Sequence, residues 1–481
     1  MEKQQAYLVI DIGTGNVRVA ITGLDGVLLG VERDDVHYRK DQPYEDALSF
    51  CPDRLWGQIM ALAKKALAAL PQVDIIALTA SSQREGIVLV DEAGKAIMGM
   101  PNHDHRGRAW ERMVKDPGQV YERTGRYPGS LFSAMKLVGL REQQSDVFDR
   151  IEKVMSISDW AQYALCGKMV YEHAQASETQ LYDVENRSWS AELCAVFGLD
   201  PSILPPLYPA GSVLGGISAE IAQALGISEE ALVIVGGADT QLAIKSTQPD
   251  TGDVVLVSGT TTPVVMIVDK YMVDQEQKTW TGSHVEEGAF VLEANAGVTG
   301  LNFQRLKEIF YPNEPYQVIE QELAQVEQQN CMASLGSLVA DEEGSATRGG
   351  FIFSIPVAHD LTRASFAQAA LWDIACAIKA NFDTLCRVNP YEKDYVWACG
   401  GGFQSDTLRR YVAGLLNKTI LFRKDNIQAS VVGGALICSE ALKKTVGDAQ
   451  EVTKITAQRQ EEYALQFQIW RAVREKLRMA F

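Results

Sequence analysis

Near the start of the chain, Asp11-Ile-Gly-Thr-Gly15 sets a carboxylate, a hydroxyl and two glycines at the end of an apolar run. Glycines let backbone N–H groups come close to an anion, and a carboxylate holds a divalent cation directly or through water. That set suits the β- and γ-phosphates of a nucleotide. A plain hairpin turn reads the same residues equally well. A dinucleotide-binding loop does not, because Arg18 stands where a third glycine belongs and β-branched residues follow in place of a helix.

Asp239 follows Gly236-Gly237-Ala238 at a strand-to-helix junction, which puts a carboxylate at the C-terminal edge of a sheet, where α/β folds bind ligands. Such a group suits a general base for phosphoryl transfer, a reaction that otherwise asks for positioning and charge neutralisation. The structural reading of the same residue is an N-cap. Gly400-Gly-Gly402, with Gln404 and Ser405 beyond it, leaves bare backbone for a flat ring such as adenine, or makes a tight cap or bulge. In Ser81-Ser-Gln-Arg-Glu85, Arg84 and Glu85 offer donors and acceptors to vicinal hydroxyls, or pair with each other at the surface. Asn102-His-Asp-His-Arg106 is a second polar cluster, and its two histidines alone do not make a metal site.

The elements that must position these residues repeat. Tyr7–Ile12, Val17–Thr22 and Val27–Val31 form a meander of strands separated by Gly-rich turns. Helical periodicity over Pro52–Leu70 precedes a buried-strand run at Ile75–Ala80. In the second half, Asp253–Val257, Ser258-Gly-Thr-Thr-Thr262 and Val264–Val268 again give strand, Gly-Thr turn, strand. This reads as an internal duplication with Gly13-Thr14 opposite Gly259-Thr260. Leu232–Asp239 and Val396–Phe403 form a second matching pair, with an acid only in the first copy. The boundary is expected near Lys245–Thr251, where Gln248-Pro-Asp-Thr-Gly252 supplies turn residues.

A chain of 481 residues is too long for one core and long enough for two. Its net charge of −17, without a cluster of Lys and Arg, excludes a nucleic-acid backbone as ligand. Anionic ligands must then be held locally, by backbone N–H groups and a cation. The eight cysteines are scattered without a C-x-x-C pair and read as reduced thiols. No apolar run approaches a membrane span, and a cytoplasmic location is expected.

As a set, these residues resemble the FGGY family of carbohydrate kinases, relatives of glycerol kinase, xylulokinase and autoinducer-2 kinase, from about Tyr7 to about Ala441. The resemblance implies an α/β fold of two ribonuclease-H-like domains, of the actin and sugar-kinase superfamily, flanking an interdomain cleft. Residues 1–247 would hold the acceptor and the base, and residues 248–481 the nucleotide. It implies phosphorylation of a hydroxyl on a small open-chain sugar, polyol or related metabolite, with ATP and Mg2+ as cofactors. It also leaves room for a homodimer, with no membrane or nucleic-acid partner.

Carried over residue by residue, the resemblance assigns the metal to Asp11 and the phosphates to Gly13, Thr14, Gly15 and Arg18. Asp239 becomes the base and touches the acceptor, together with Arg84, Glu85 and Asp104. Gly259, Thr260, Gly300, Gly400, Gly401 and Ser405 take the nucleotide. Departures fall on the acceptor side. His103 precedes Asp104 where an aromatic residue is usual, Gln175-Ala-Ser-Glu-Thr179 replaces a D-A-S-G-T-like segment, and Leu131 replaces a tyrosine. Arg84-Glu-Gly-Ile-Val88 is most similar to the autoinducer-2 kinases. Two rivals are a catalytically weak or silent regulatory member of the fold and an actin- or chaperone-type ATPase. The first should lack Asp11 or Asp239, and the second should carry a client-binding domain after the adenosine motif.

Overall fold

The opening apolar run forms the strand Gln4–Ile12 in the computed structural model, which describes residues 3–326, 329–342, 348–423, 428–444 and 451–480. Its side chains alternate between two cores: Ala6, Leu8, Ile10 and Ile12 enter one, Tyr7 and Val9 the other. A strand buried on both faces belongs in the middle of a sheet. It pairs antiparallel with Asn16–Thr22 and parallel with Val73–Ser82. The sheet runs Leu28–Asp35, Asn16–Thr22, Gln4–Ile12, Val73–Ser82, Leu232–Ile234, Val213–Gly216. Helices Pro52–Ala69 and Ile157–Cys166 supply Leu55, Ile59, Trp160 and Ala161 to the first core.

A second sheet repeats that order: Phe290–Val298, Thr261–Val268, Val254–Val257, Tyr395–Cys399, Thr419–Arg423, Val452–Ile455. The pair Val254–Val257 and Thr261–Val268 is antiparallel, while Val254–Val257, Tyr395–Cys399 and Thr419–Arg423 run parallel. These are two ribonuclease-H-like sheets, and the match of Gly13-Thr14 with Gly259-Thr260 holds in both. The second matching pair needs correction. Tyr395–Cys399 occupies the place of Val73–Ser82, beside the opening strand, and Leu232–Ile234 corresponds to Thr419–Arg423. The likeness of 232–239 to 396–403 is therefore local, because strand-then-glycine recurs wherever a parallel strand ends at a ligand edge.

The chain forms two compact units. The first is Met1–Gln248 with Val268–Val291 and Ala429–Ala449, and the second is Pro249–Ile267, Leu292–Gln428 and Gln450–Phe481. In the first, helix Ala429–Ala441 puts Val431, Ala435, Ile437 and Cys438 against Tyr7, Val9 and Leu242. A Cβ on Gly433 would sit 1.8 Å from the carbonyl oxygen of Leu242, so only glycine permits this approach to helix Asp239–Thr247. Among the described residues no helix is long and apolar enough to cross a membrane.

Candidate active site

Three parallel strand ends meet in the first unit, where Ser81 is in register with both Asp11 and Gly237. Gly236 allows the meeting, since a Cβ there would lie 1.9 Å from the Ala80 carbonyl oxygen. Asp239 begins the next helix. Ala238 occupies the N-cap position, with extended backbone and no side-chain cap, so Asp239 is not the cap that the sequence also allowed. One Asp239 oxygen accepts from the Thr240 N–H at 2.6 Å and lies 3.3 Å from the Thr240 hydroxyl. Burial, then the nearby Asp11 carboxylate, pushes Asp239 up to about 6 against the opposing pull of Arg84.

Asp11 is 2% exposed, and its Oδ2 accepts from Arg18 Nη1 at 2.9 Å. Its Oδ1 is buried without a hydrogen-bond partner, a costly state for a carboxylate oxygen unless a ligand or cation completes it. Behind Asp11 the phosphate-type turn is braced. Gly13 N–H donates to the Asn16 carbonyl at 2.9 Å. The Tyr38 hydroxyl donates to the Thr14 carbonyl at 2.7 Å, and Asn102 Nδ2 donates to Thr14 Oγ1 at 2.9 Å. Gly15 is exposed, with open space where a Cβ would stand.

Arg84 and Glu85 are buried, and Glu85 sits at φ 59°. Arg84 Nε lies 3.9 Å from Glu85 and Nη1 3.8 Å from Glu178, while Arg126 donates to Glu178 at 2.6 Å. The guanidiniums of Arg84 and Arg126 lie 6.0 and 5.9 Å from the Trp280 ring centre, and Phe132 meets that ring edge-on. Burial raises the Glu85 carboxyl, with Arg84 opposing, and lowers the ammonium of Lys136, with Asp104 and Glu85 opposing. Lys136 Nζ donates to the carbonyls of Asn102, at 3.0 Å, and Leu131.

Asp104 is wholly buried among other partners. Its Oδ1 accepts from the Arg106 N–H and Nε, and its Oδ2 from Leu48 N–H and Arg106 Nε and Nη2, all at 2.8–3.1 Å. Those bonds fix the shape of the 102–106 loop, and the charge of Asp104 also favours the charged forms of Lys136 and His103.

In the second unit the predicted nucleotide residues divide by what surrounds them. Gly300 and Gly400 are required by packing: a Cβ would lie 2.0 Å from the Gly259 carbonyl oxygen or 2.4 Å from that of Ser258, and Gly400 has φ +91°. Gly259 and Gly401 have nothing within 4 Å of a would-be Cβ, and Thr260 is exposed beside Gly259. The Ser405 hydroxyl caps helix Asp406–Leu416 by accepting from Leu408 N–H at 3.1 Å, and donates to Glu320 at 2.5 Å.

The model of the FGGY family of carbohydrate kinases, N-terminal domain, matches residues 6–245. YoaC of Bacillus subtilis (strain 168), named as a sugar kinase, is 49% identical over 447 residues, which are 92% of each chain. The chain belongs to the FGGY family of carbohydrate kinases. Autoinducer-2 kinase of Escherichia coli (strain K12) is 27% identical over 324 residues, 65% of this chain and 61% of that one. Among solved structures, a ligand-bound xylulose kinase from Lactobacillus acidophilus superposes with a TM-score of 0.85 at 18% identity, covering 98% of both chains. Plasmodium falciparum glycerol kinase with ADP gives 0.84 at 17%, again over 98% of both.

As an FGGY kinase the protein is a phosphotransferase acting on an alcohol group of a carbohydrate, with ATP expected as donor. Around the Asp11–Gly15 turn and the Arg84–Glu85 pair, five residues without an assigned role emerge: Gln83, Asn102, Arg126, Lys136 and Trp280. Glu178, noted only as a departure, joins them. Gln83 Oε1 accepts from Asn102 N–H at 2.9 Å, and its Nε2 lies 3.3 Å from the Gly13 carbonyl oxygen. Gln83 and Asn102 stood in the two polar clusters and were open to notice. Lys136 lies in a helix whose first eight residues, Ser133–Leu140, are all buried, a pattern without an amphipathic face to single it out.

Proposed function

We propose that this FGGY kinase transfers the γ-phosphoryl group of Mg·ATP to a hydroxyl of a small open-chain polyhydroxylated metabolite, with Asp239 as general base. The observation that carries the reading is the Asp239 carboxylate, raised by burial and Asp11 to about 6, at the strand ends that also carry Asp11. A base poised just below neutrality is ionised at pH 7 yet still basic enough to accept a hydroxyl proton. Asp11, with one orphaned oxygen, fits a Mg2+ ion, which takes one or two protein carboxylates and otherwise phosphate oxygens and water. When bound, that ion neutralises phosphate charge.

Arg84 and Glu85 donate to and accept from vicinal hydroxyls, and Asp104 with Arg106 holds their neighbouring loop in place. Thr14 and the bare backbone of Gly13 and Gly15 receive phosphate oxygens beside Arg18, while Gly259, Thr260 and Gly401 receive the rest of the nucleotide, framed by Gly300, Gly400 and Ser405. The names of relatives and neighbours, autoinducer-2, xylulose, gluconate and glycerol kinases, agree with an open-chain acceptor. We place the reaction in the cytoplasm, where ATP is supplied.

The test is a coupled ADP-release screen against polyols, ketoses and aldonates, followed by Asp239→Asn on the best acceptor. The variant is expected to lose ~10²–10⁴-fold in turnover while binding ADP as the parent does in calorimetry. The parent's kcat/KM should rise with pH through about 6, because the carboxylate must be ionised to take the proton. Turnover by Asp239→Asn close to the parent's removes Asp239 from the role, and ATP binding without phosphorylation of any acceptor favours a silent member.

A further inference from the structure

Asn102 touches both the phosphate-type turn and the acceptor region. Its backbone N–H donates to Gln83 Oε1 at 2.9 Å, and its carbonyl accepts from Lys136 Nζ at 3.0 Å. The residue is thus clamped between the neighbour of Arg84 and the lysine whose charge acts on Glu85. Its side-chain amide reaches the turn. The orientation of that amide follows from its neighbour: the backbone N–H of His103 can only donate, so the Asn102 atom 2.9 Å away is Oδ1. The atom 2.9 Å from Thr14 Oγ1 is then Nδ2, which also can only donate. Thr14 Oγ1 therefore accepts, and none of the described residues takes the proton of its hydroxyl. Tyr38, bonded to the Thr14 carbonyl at 2.7 Å, keeps the turn from rotating away.

We propose that Asn102 is a positioning residue for phosphoryl transfer, holding Thr14 as an acceptor so that the Thr14 hydroxyl proton stays available to a phosphate oxygen of the nucleotide. The inference rests on the reading of Asp11–Gly15 as the phosphate turn. The Asn102 amide also links the 102–106 loop to the Asp11–Gly15 turn.

The probe is the Mg2+ complex of the non-hydrolysable imido analogue of ATP, titrated calorimetrically into the full chain, with adenosine as control. Asn102→Ala should weaken the analogue by roughly 3- to 10-fold, the worth of one hydrogen bond, and leave adenosine unchanged. Asn102→Asp should weaken it more, because a carboxylate at that place accepts the Thr14 proton and adds a negative charge beside the phosphates. In a Thr14→Val background Asn102→Ala should have no further effect. An undiminished effect in that background, or analogue binding by Asn102→Asp equal to the parent's, overturns the role of Asn102. If Thr14→Val alone leaves the analogue's affinity unchanged, the phosphate-turn reading fails first and the proposal falls with it.

Discussion

Glu85 shows how a single side chain is committed to chemistry by its surroundings. Buried at a positive φ beside Arg84 and near Lys136, it has its carboxyl raised because removal from water penalises the charged form more than its cationic neighbours favour it. A sugar hydroxyl that accepts from Arg84 and donates to Glu85 relieves that penalty. Glu85→Ala is therefore expected to raise the acceptor KM by roughly tenfold, since a buried hydroxyl left unpaired costs about 1–3 kcal/mol, while barely moving the KM for ATP. Steady-state kinetics with both substrates varied checks it; a parent-like acceptor KM would count against this pocket. Asp239 carries a similar burden in the ligand-free protein. Its folded value of about 6 lies above the ordinary 3.8, so the ionised carboxylate destabilises the fold above about pH 6, and the cost fades as pH falls towards 3.8. Asp239→Asn is accordingly expected to melt a few degrees higher than the parent at pH 7.5, with the gain shrinking below pH 6 in calorimetry. Arg84, Glu85 and Asp239 were legible because each follows a strand with a residue type that such a position does not otherwise need. Arg126, Glu178 and Trp280 were not, because what makes them a group is a set of contacts between segments more than fifty residues apart in the chain.

At the scale of elements, glycine separates what packing requires from what a ligand requires. Gly236 lies where strands cross so closely that a Cβ would overlap the Ala80 carbonyl at 1.9 Å and the Thr79 hydroxyl at 2.8 Å. Backbone cannot yield as a flexible side chain does, so Gly236→Ala is expected to cost about 3 kcal/mol or more, read from the midpoint of a urea transition. Gly15 has open space at the same position. Gly15→Ala should leave that midpoint nearly unchanged yet weaken Mg·ATP binding, and an unaltered affinity would show that no phosphate comes close there. The repeated strand, Gly-Thr turn, strand pattern was visible in the sequence because side-chain alternation reports a strand and glycine reports its turn. Strand order was not visible, since alternation says that a strand is buried and nothing about which strand lies beside it. For that reason the match of 232–239 with 396–403 misled while the match of the two Gly-Thr turns held.

Across the whole molecule, a net charge of −17 coexists with cations buried around Glu85. Arg84, Arg126 and Lys136 are each at most 7% exposed. Composition reports only the sum, whereas folding sets the local sign. Folding also returns distant sequence to the first unit: segment Val268–Val291 brings Trp280 to Arg84, and helix Ala429–Ala441 completes the core beneath the opening strand. The Ser439 hydroxyl lies 2.5 Å from the Leu24 carbonyl oxygen and 3.0 Å from the Tyr7 hydroxyl, and Lys245 is paired with both Glu286 and Glu440. A chain ending at Gln248 keeps every strand of the first sheet but loses Val431, Ala435, Ile437 and Cys438 from one face of it. Burial of Val431 and Ile437 contributes about 1.5–3 kcal/mol each and that of the smaller Ala435 and Cys438 about 1 kcal/mol each, so their joint loss is comparable with the lower end of the whole stability of a domain, about 5–15 kcal/mol. That fragment is expected to show helical and strand circular dichroism without a cooperative thermal transition, and to bind an apolar dye. Linking residues 429–444 back to it should restore cooperativity. A sharp two-state transition in the bare fragment would instead place the unit's stability within its first 248 residues.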